Sequence, residues 1–91
     1  MDIEFDSVKD AANIRKHRLS LADAGVRLAG PHNVDRDDRA DYGEERMIAT
    51  GEIGGRLHVC VYTLRGPTCR IISLRKANRR EIDAYRKSDL G

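Results

Sequence analysis

The side chains of this 91-residue chain best suited to chemistry are its arginines. From Arg65 to Lys87 stand eight basic residues (Arg65, Arg70, Arg75, Lys76, Arg79, Arg80, Arg86 and Lys87) against Glu81 and Asp83, a local charge of +6. The eleven residues from Asp35 to Glu45 hold six acids and two arginines, a local charge of −4. The total of +2 therefore hides a polarised molecule. Guanidinium groups stay charged and grip phosphate through paired donors. Concentrated on a small domain, they suit a phosphate-backbone ligand or an acidic protein partner. Outside the stretch from His32 to Glu45, His17 and His58 are the side chains whose ordinary pKa fits acid–base work near neutrality. Each also has a plainer use. His17, beside Lys16 at a helix end, can cap the last carbonyls, and a lone strand histidine such as His58 is usually structural.

Composition narrows the classes further. Four aromatics (Phe5, Tyr42, Tyr62 and Tyr85) and no Trp supply a poor base-stacking platform, so electrostatics must carry any nucleic-acid affinity. The length fits one domain, residues 1–91, with one modest core. The start, Met-Asp-Ile-Glu, lacks the pattern of a signal peptide, and no run is long enough for a bilayer; the chain reads as cytoplasmic, with no membrane partner. Cys60 and Cys69 lack C-x-x-C spacing and a second pair for zinc. The D-R-D-D-R-A-D run from Asp35 suggests calcium, but Ala40 stands where an EF-hand needs Gly and Arg46 where it needs the bidentate Glu. No metal or cofactor is expected.

The elements that must position these groups can be read in outline. Ile3 to Asp6 alternates like a short edge strand. Asp6 or Ser7 caps a helix, with Asp10 in its first turn. In that helix Val8, Ala11, Ala12 and Arg15 share one face, with Ile14 beside it. Lys9, Asn13, Lys16 and His17 recur on another side, which reads most simply as solvated. Ser20 and Asp23 form a capping-box pattern for a second helix burying Leu21, Ala24, Gly25 and Leu28 and ending at Gly30-Pro31. His32 to Glu45 reads as a long acidic loop. A three-stranded meander follows: Arg46 to Glu52, Leu57 to Leu64 and Thr68 to Leu74, turned at Gly54-Gly55 and Gly66-Pro67.

With two-residue turns, Met47 faces Tyr62, Ala49 faces Cys60 and Gly51 faces His58. Across the second hairpin, Leu64 faces Cys69, Tyr62 faces Ile71, Cys60 faces Ser73 and His58 faces Arg75, so the cysteines do not pair. One sheet face then carries Ile48, Thr50, Val59, Val61, Thr63, Ile72 and Leu74, ready to receive helices. The other carries Ala49, Gly51, His58, Tyr62, Ser73 and Arg75, able to floor a cleft. A slip of one residue would exchange the faces. A last helix opens at Asn78 with Glu81 at its third position, and Ala77 with Ile82 as staple.

Taken in order, these residues resemble the BrnT family of bacterial toxins. The likeness runs through F-D-x-x-K-x-x-x-N-x-x-K-H (Phe5 to His17), Ser20, Pro31, G-E-E-R (Gly43 to Arg46), V-Y-T (Val61 to Thr63), R-I-I-S-x-R-x-A (Arg70 to Ala77) and R-E-x-x-x-Y (Arg80 to Tyr85). Three positions depart from it: Phe5 where tryptophan is frequent, Arg18 where glycine is frequent, and Leu64 where an acid often stands. The resemblance implies an α+β, RelE-like fold: an antiparallel sheet of a short N-terminal strand and the meander, with two N-terminal helices and one C-terminal helix. It implies a toxin that cleaves RNA to stop translation and arrest growth. Its partner would be a BrnA-like, ribbon-helix-helix antitoxin that neutralises it, and operator DNA would be bound only through their complex. The alternative is a non-enzymatic or inactivated binding module that acts with the antitoxin as an autorepressor.

Metal-independent endoribonuclease chemistry uses the 2′-hydroxyl as nucleophile and leaves a cyclic phosphate and a free 5′-hydroxyl. The protein must take one proton, stabilise phosphoryl charge and supply another proton. For catalysis the candidates are Arg70 and Arg75 on the phosphate, His17 and His58 as acid–base groups, and Tyr85 as a donor. For holding RNA they are Lys9, Lys16, Arg65, Ser73, Arg79 and Arg86. Each arginine can equally be a surface charge or a partner for an antitoxin acid, and a helical Tyr beside Ile82 is more often core. Glu45 is a further base candidate if its loop folds over the sheet.

Overall fold

In the computed structural model, which describes residues 2–25, 32–38 and 43–87, five strands form one sheet in the order β1-β5-β4-β3-β2. The strands are β1 (Asp2–Glu4), β2 (His32–Arg36), β3 (Met47–Ile53), β4 (Arg56–Arg65) and β5 (Thr68–Lys76). All neighbours are antiparallel except β1, which lies parallel to β5 from Asp2–Thr68 to Glu4–Arg70. Helix α1 (Ser7–His17), a 3-10 turn (Leu21–Asp23) that runs into helical Ala24 and Gly25, and helix α2 (Arg79–Arg86) complete the described elements. None of these helices is long and apolar enough to cross a membrane.

The sheet therefore has one strand more than the meander reading provides. β2 arises from the stretch read as loop: His32 to Arg36 pairs with Gly51 to Met47. Its single apolar residue, Val34, is exposed, so backbone pairing rather than side-chain burial makes it a strand. The second helix opens at Ser20, but its described start is the 3-10 turn; Leu28 and the Gly30-Pro31 stop lie outside the described residues. Ser20 is held by a different acid from the one expected. Its Oγ and the Leu21 amide both donate to Asp10 Oδ1 of α1, at 3.0 and 2.7 Å, in place of a reciprocal Asp23 contact.

The first hairpin has the expected register, set by a two-residue turn in which Gly54 and Gly55 both take positive φ. The second holds it only from Arg65–Thr68 to Tyr62–Ile71. A bulge then leaves Ile72 without a partner, and beyond it Val61 faces Ser73, Cys60 faces Leu74, Val59 faces Arg75 and His58 faces Lys76. The extra residue corrects two pairs, Cys60–Ser73 and His58–Arg75, and exchanges the faces: Leu74 joins Cys60 and Tyr62, while Ser73 and Arg75 join Val59 and Val61.

Both sheet faces are consequently core. On one, Ala49, Cys60, Tyr62, Cys69, Ile71 and Leu74 pack with Leu21 and Ala24, flanked by Ile3, Phe5, Leu19, Met47 and Ile53. This is the face read as a cleft floor. On the other, Leu57, Val59 and Ala77 pack with Ile48 and with Ile82 and Tyr85 of α2. Central β4, buried from Leu57 to Thr63, belongs to both. α2 starts with the expected capping box, the Asn78 side chain accepting from the Glu81 amide at 2.9 Å and Glu81 Oε1 accepting from the Asn78 amide at 2.8 Å.

Candidate active site

The bulge decides which of the basic side chains share a surface. Arg70, opposite Thr63, and Ser73 and Arg75, opposite Val61 and Val59, lie on the face that α2 covers in part. Arg75 reaches the start of that helix. Its two terminal nitrogens donate to the two carboxylate oxygens of Glu81, each at 2.7 Å, a bidentate pair about seven-tenths buried. Glu81 thus caps α2 and fixes the Arg75 fork at once. Arg70 has a looser partner in Glu4, its neighbour across β1, at 3.7 Å.

His17 ends α1, which packs against β5. Partial burial holds its pKa below the ordinary 6.5, helped by the positive charges of Lys16 and Arg75. The imidazole is accordingly biased to the neutral, proton-accepting form, at the end of a helix that packs against β5. What brings α1 there is Asn13. Its Nδ2 donates to the carbonyls of Leu74 and Leu19, both at 2.8 Å, while its Oδ1 accepts from the Leu74 amide at 3.2 Å.

That anchoring corrects the reading of α1. Asp10, Asn13 and His17, spaced i, i+3 and i+7, form the inward stripe, Asn13 being buried. Lys9 and Lys16 are exposed, as expected of a solvated side, but so are Val8, Ala11, Ala12, Ile14 and Arg15. The helix turns polar residues to the protein and apolar ones to solvent.

His58 lies elsewhere. It is buried on the Cys60–Tyr62 face, opposite Lys76 rather than Arg75, and its Nδ1 donates to the Arg56 carbonyl at 2.6 Å. Tyr85 lines a shallow cleft of about 300 Å³ with Asp35, Ile48, Thr50, Glu81 and Ala84. No cation is among these described lining residues, so the hollow beside α2 is not the arginine-lined groove that the charge pattern suggests. Arg65, Arg79 and Arg86 are exposed, Arg79 lying 3.8 Å from Asp83. Glu45 keeps its carboxylate toward solvent, 3.8 Å from Arg36, while its carbonyl accepts from Thr63 Oγ1 at 2.7 Å. With Glu44, Met47, Thr63 and Leu64 it lines a smaller hollow of about 150 Å³, so acids do stand beside Leu64.

Residues 5–81 match a family described as the ribonuclease toxin BrnT of type II toxin–antitoxin systems. The chain belongs to that family. No curated protein matches it. Membership in the BrnT family implies ribonuclease activity, an RNA substrate and an antitoxin partner. The matched segment contains α1, the whole sheet except β1, and Glu81, so the Asn13–Leu74 anchor and the Arg75–Glu81 pair both fall within the BrnT pattern. Sequence reasoning missed the partners Asp10, Asn13 and Glu81. For Asn13 a signal existed, its place in the F-D-x-x-K-x-x-x-N run, although spacing alone assigned it to solvent.

Proposed function

We propose that this BrnT-family chain is a metal-independent endoribonuclease whose site lies where α1, β5 and α2 meet. Neutral His17 takes the proton of the 2′-hydroxyl as its oxygen attacks phosphorus. Arg70 and Arg75 offset the charge that gathers on the phosphoryl oxygens, and Ser73 donates to one of them. The bond from phosphorus to the 5′-oxygen breaks, Tyr85 supplies the proton to that oxygen, and the products are a 2′,3′-cyclic phosphate and a 5′-hydroxyl. Lys9, Lys16, Arg65, Arg79 and Arg86 hold the flanking backbone. His58, buried and bonded to a carbonyl, is the weakest member of the catalytic set and serves the fold. Cleavage in the cytoplasm would stop translation, and a ribbon-helix-helix antitoxin, BrnA-like, would neutralise the toxin and carry it to operator DNA.

One observation carries this reading beyond family membership: the bulge at Ile72 sets Arg70, Ser73 and Arg75 on one face of β5, the strand against which α1, ending at His17, packs. Purified toxin should cut RNA in excess chelator, leaving cyclic phosphate ends. His17→Gln and Arg75→Ala should each slow cleavage by roughly 100-fold, the low end for an acid–base group. Unaltered rates in both variants would move the site elsewhere.

A second reading, the non-enzymatic module, draws on the fact that both central arginines already face carboxylates, Glu4 and Glu81. It requires intact RNA after incubation with the free wild-type chain, together with steeply salt-dependent DNA binding by the complex.

A further inference from the structure

The outer side of α1 carries the pattern of a buried surface, yet its residues stand exposed among the described part of the chain. Val8, Ala11, Ala12 and Arg15 follow each other at i, i+3, i+4 and i+7, the spacing by which a helix normally meets its core. All four are exposed, Val8 by 72%, and Ile14 beside them by 45%. The core-facing side is instead polar, Asp10 and Asn13 being spent on Ser20, Leu21, Leu19 and Leu74. Apolar side chains at those outward positions add nothing to the fold, and they suit contact with another molecule.

Charge identifies the class of that molecule. Lys9, Arg15, Lys16 and Arg18 are exposed along and around the stripe, whereas the one acid within the helix, Asp10, points inward. A second copy would set these cations against themselves, which is unfavourable. RNA would find cations but no aromatic to stack on and an apolar centre in place of donors. An amphipathic helix with an apolar seam edged by Asp and Glu meets both features. We propose that the outer face of α1 is the docking surface for an acidic amphipathic helix of the antitoxin. This rests on the toxin–antitoxin reading of the chain and adds to it the surface and the chemistry. It also gives neutralisation a direct route, because Lys9 and Lys16 would be taken from RNA by the docked acids.

The test uses the full-length toxin and the antitoxin encoded beside it, purified as a complex and separated for titration. Val8→Glu with Ala12→Glu should weaken antitoxin binding at least tenfold, leaving RNA cleavage by the free toxin and its melting temperature near wild type. Arg15→Glu, a single exposed position, should weaken binding alone and flatten its salt dependence. Equal affinity of wild type and all variants would overturn the proposal while leaving the toxin–antitoxin reading intact. So would loss of toxin self-association, or of RNA cleavage, with antitoxin affinity unchanged, assigning the face to a second copy or to RNA. If the wild type itself fails to bind the co-encoded protein, the reading beneath falls too.

Discussion

Asn13 and Leu74 are joined by two hydrogen bonds that replace a missing strand. β1 accompanies β5 only from Thr68 to Arg70, and farther along that edge the Leu74 amide and carbonyl meet the Asn13 side chain instead. An amide side chain offers a carbonyl and an N–H together, the two groups a neighbouring strand would present. The same Nδ2 also donates to Leu19, so one residue ties α1, the following turn and β5 together.

Asn13→Ala should therefore cost about 2–4 kcal/mol, since buried polar groups left without partners cost roughly 1–3 kcal/mol each and water will satisfy some of them. Asn13→Asp keeps the acceptor but loses the donor and turns a carboxylate toward two carbonyls, so a loss of similar size is expected at neutral pH. Urea melts of the three proteins decide this. A variant within about 0.5 kcal/mol of wild type would show that the edge needs no surrogate.

The parts of this fold that sequence discloses are those with local chemical markers. Gly54-Gly55 fixes the first hairpin residue by residue, and Asn78 with Glu81 marks the start of α2. The bulge has no such mark: Ile71-Ile72-Ser73 reads as ordinary strand. Only the packed sheet shows the need to bury Ile71 and Leu74 on one side while Ser73 and Arg75 point to the other. β2 is hidden for a related reason, because one exposed Val34 gives no alternation to detect. α1 misleads outright, since its spacing is that of a helix buried on the Val8 side and its anchor is polar. The basic character of the site was legible; its geometry required the bulge and Asn13.

Acid should loosen the molecule through His17. Its folded pKa lies below 6.5, so near and below that value the unfolded chain binds the proton more readily. The contribution of neutral His17 is fully present above pH 6.5 and declines as pH falls through the depressed folded value. Stability measured by urea at stepped pH should thus fall more in wild type than in His17→Gln over that interval. If His17 is the base, the cleavage rate should fall over a comparable range below 6.5. Parallel stability profiles for the two proteins would remove His17 from the pH response.

Arg18 should be improvable. It is the C-cap of α1 in the left-handed region, φ 59°, with its amide donating to the Ile14 carbonyl at 2.8 Å. This is the position at which the BrnT resemblance favours glycine, and the conformation supplies the reason. A non-glycine residue there carries roughly 1–2 kcal/mol of strain, while glycine gives back part of that gain through a more flexible unfolded chain. Arg18→Gly should stabilise by about 0.5–1 kcal/mol in thermal or urea melts. A loss instead would show that the exposed arginine makes a contact worth more than the strain.

The pairing of Arg75 with Glu81 separates a structural role from a chemical one. Glu81→Gln should cost about 1–2 kcal/mol by weakening the bidentate pair, with the capping contact retained by the amide oxygen. It leaves the Arg75 charge in place, now unneutralised and more available to a phosphate. Arg75→Ala also breaks the pair but removes the cation. If Arg75 stabilises the phosphoryl group, cleavage should collapse in Arg75→Ala and persist within about tenfold in Glu81→Gln, although both lose comparable stability. Arg75→Lys, which keeps the charge without the fork, should fall between them. Equal loss of activity in all three, in proportion to their melting, would make the pair a brace for α2 and leave Arg70 as the phosphate cation.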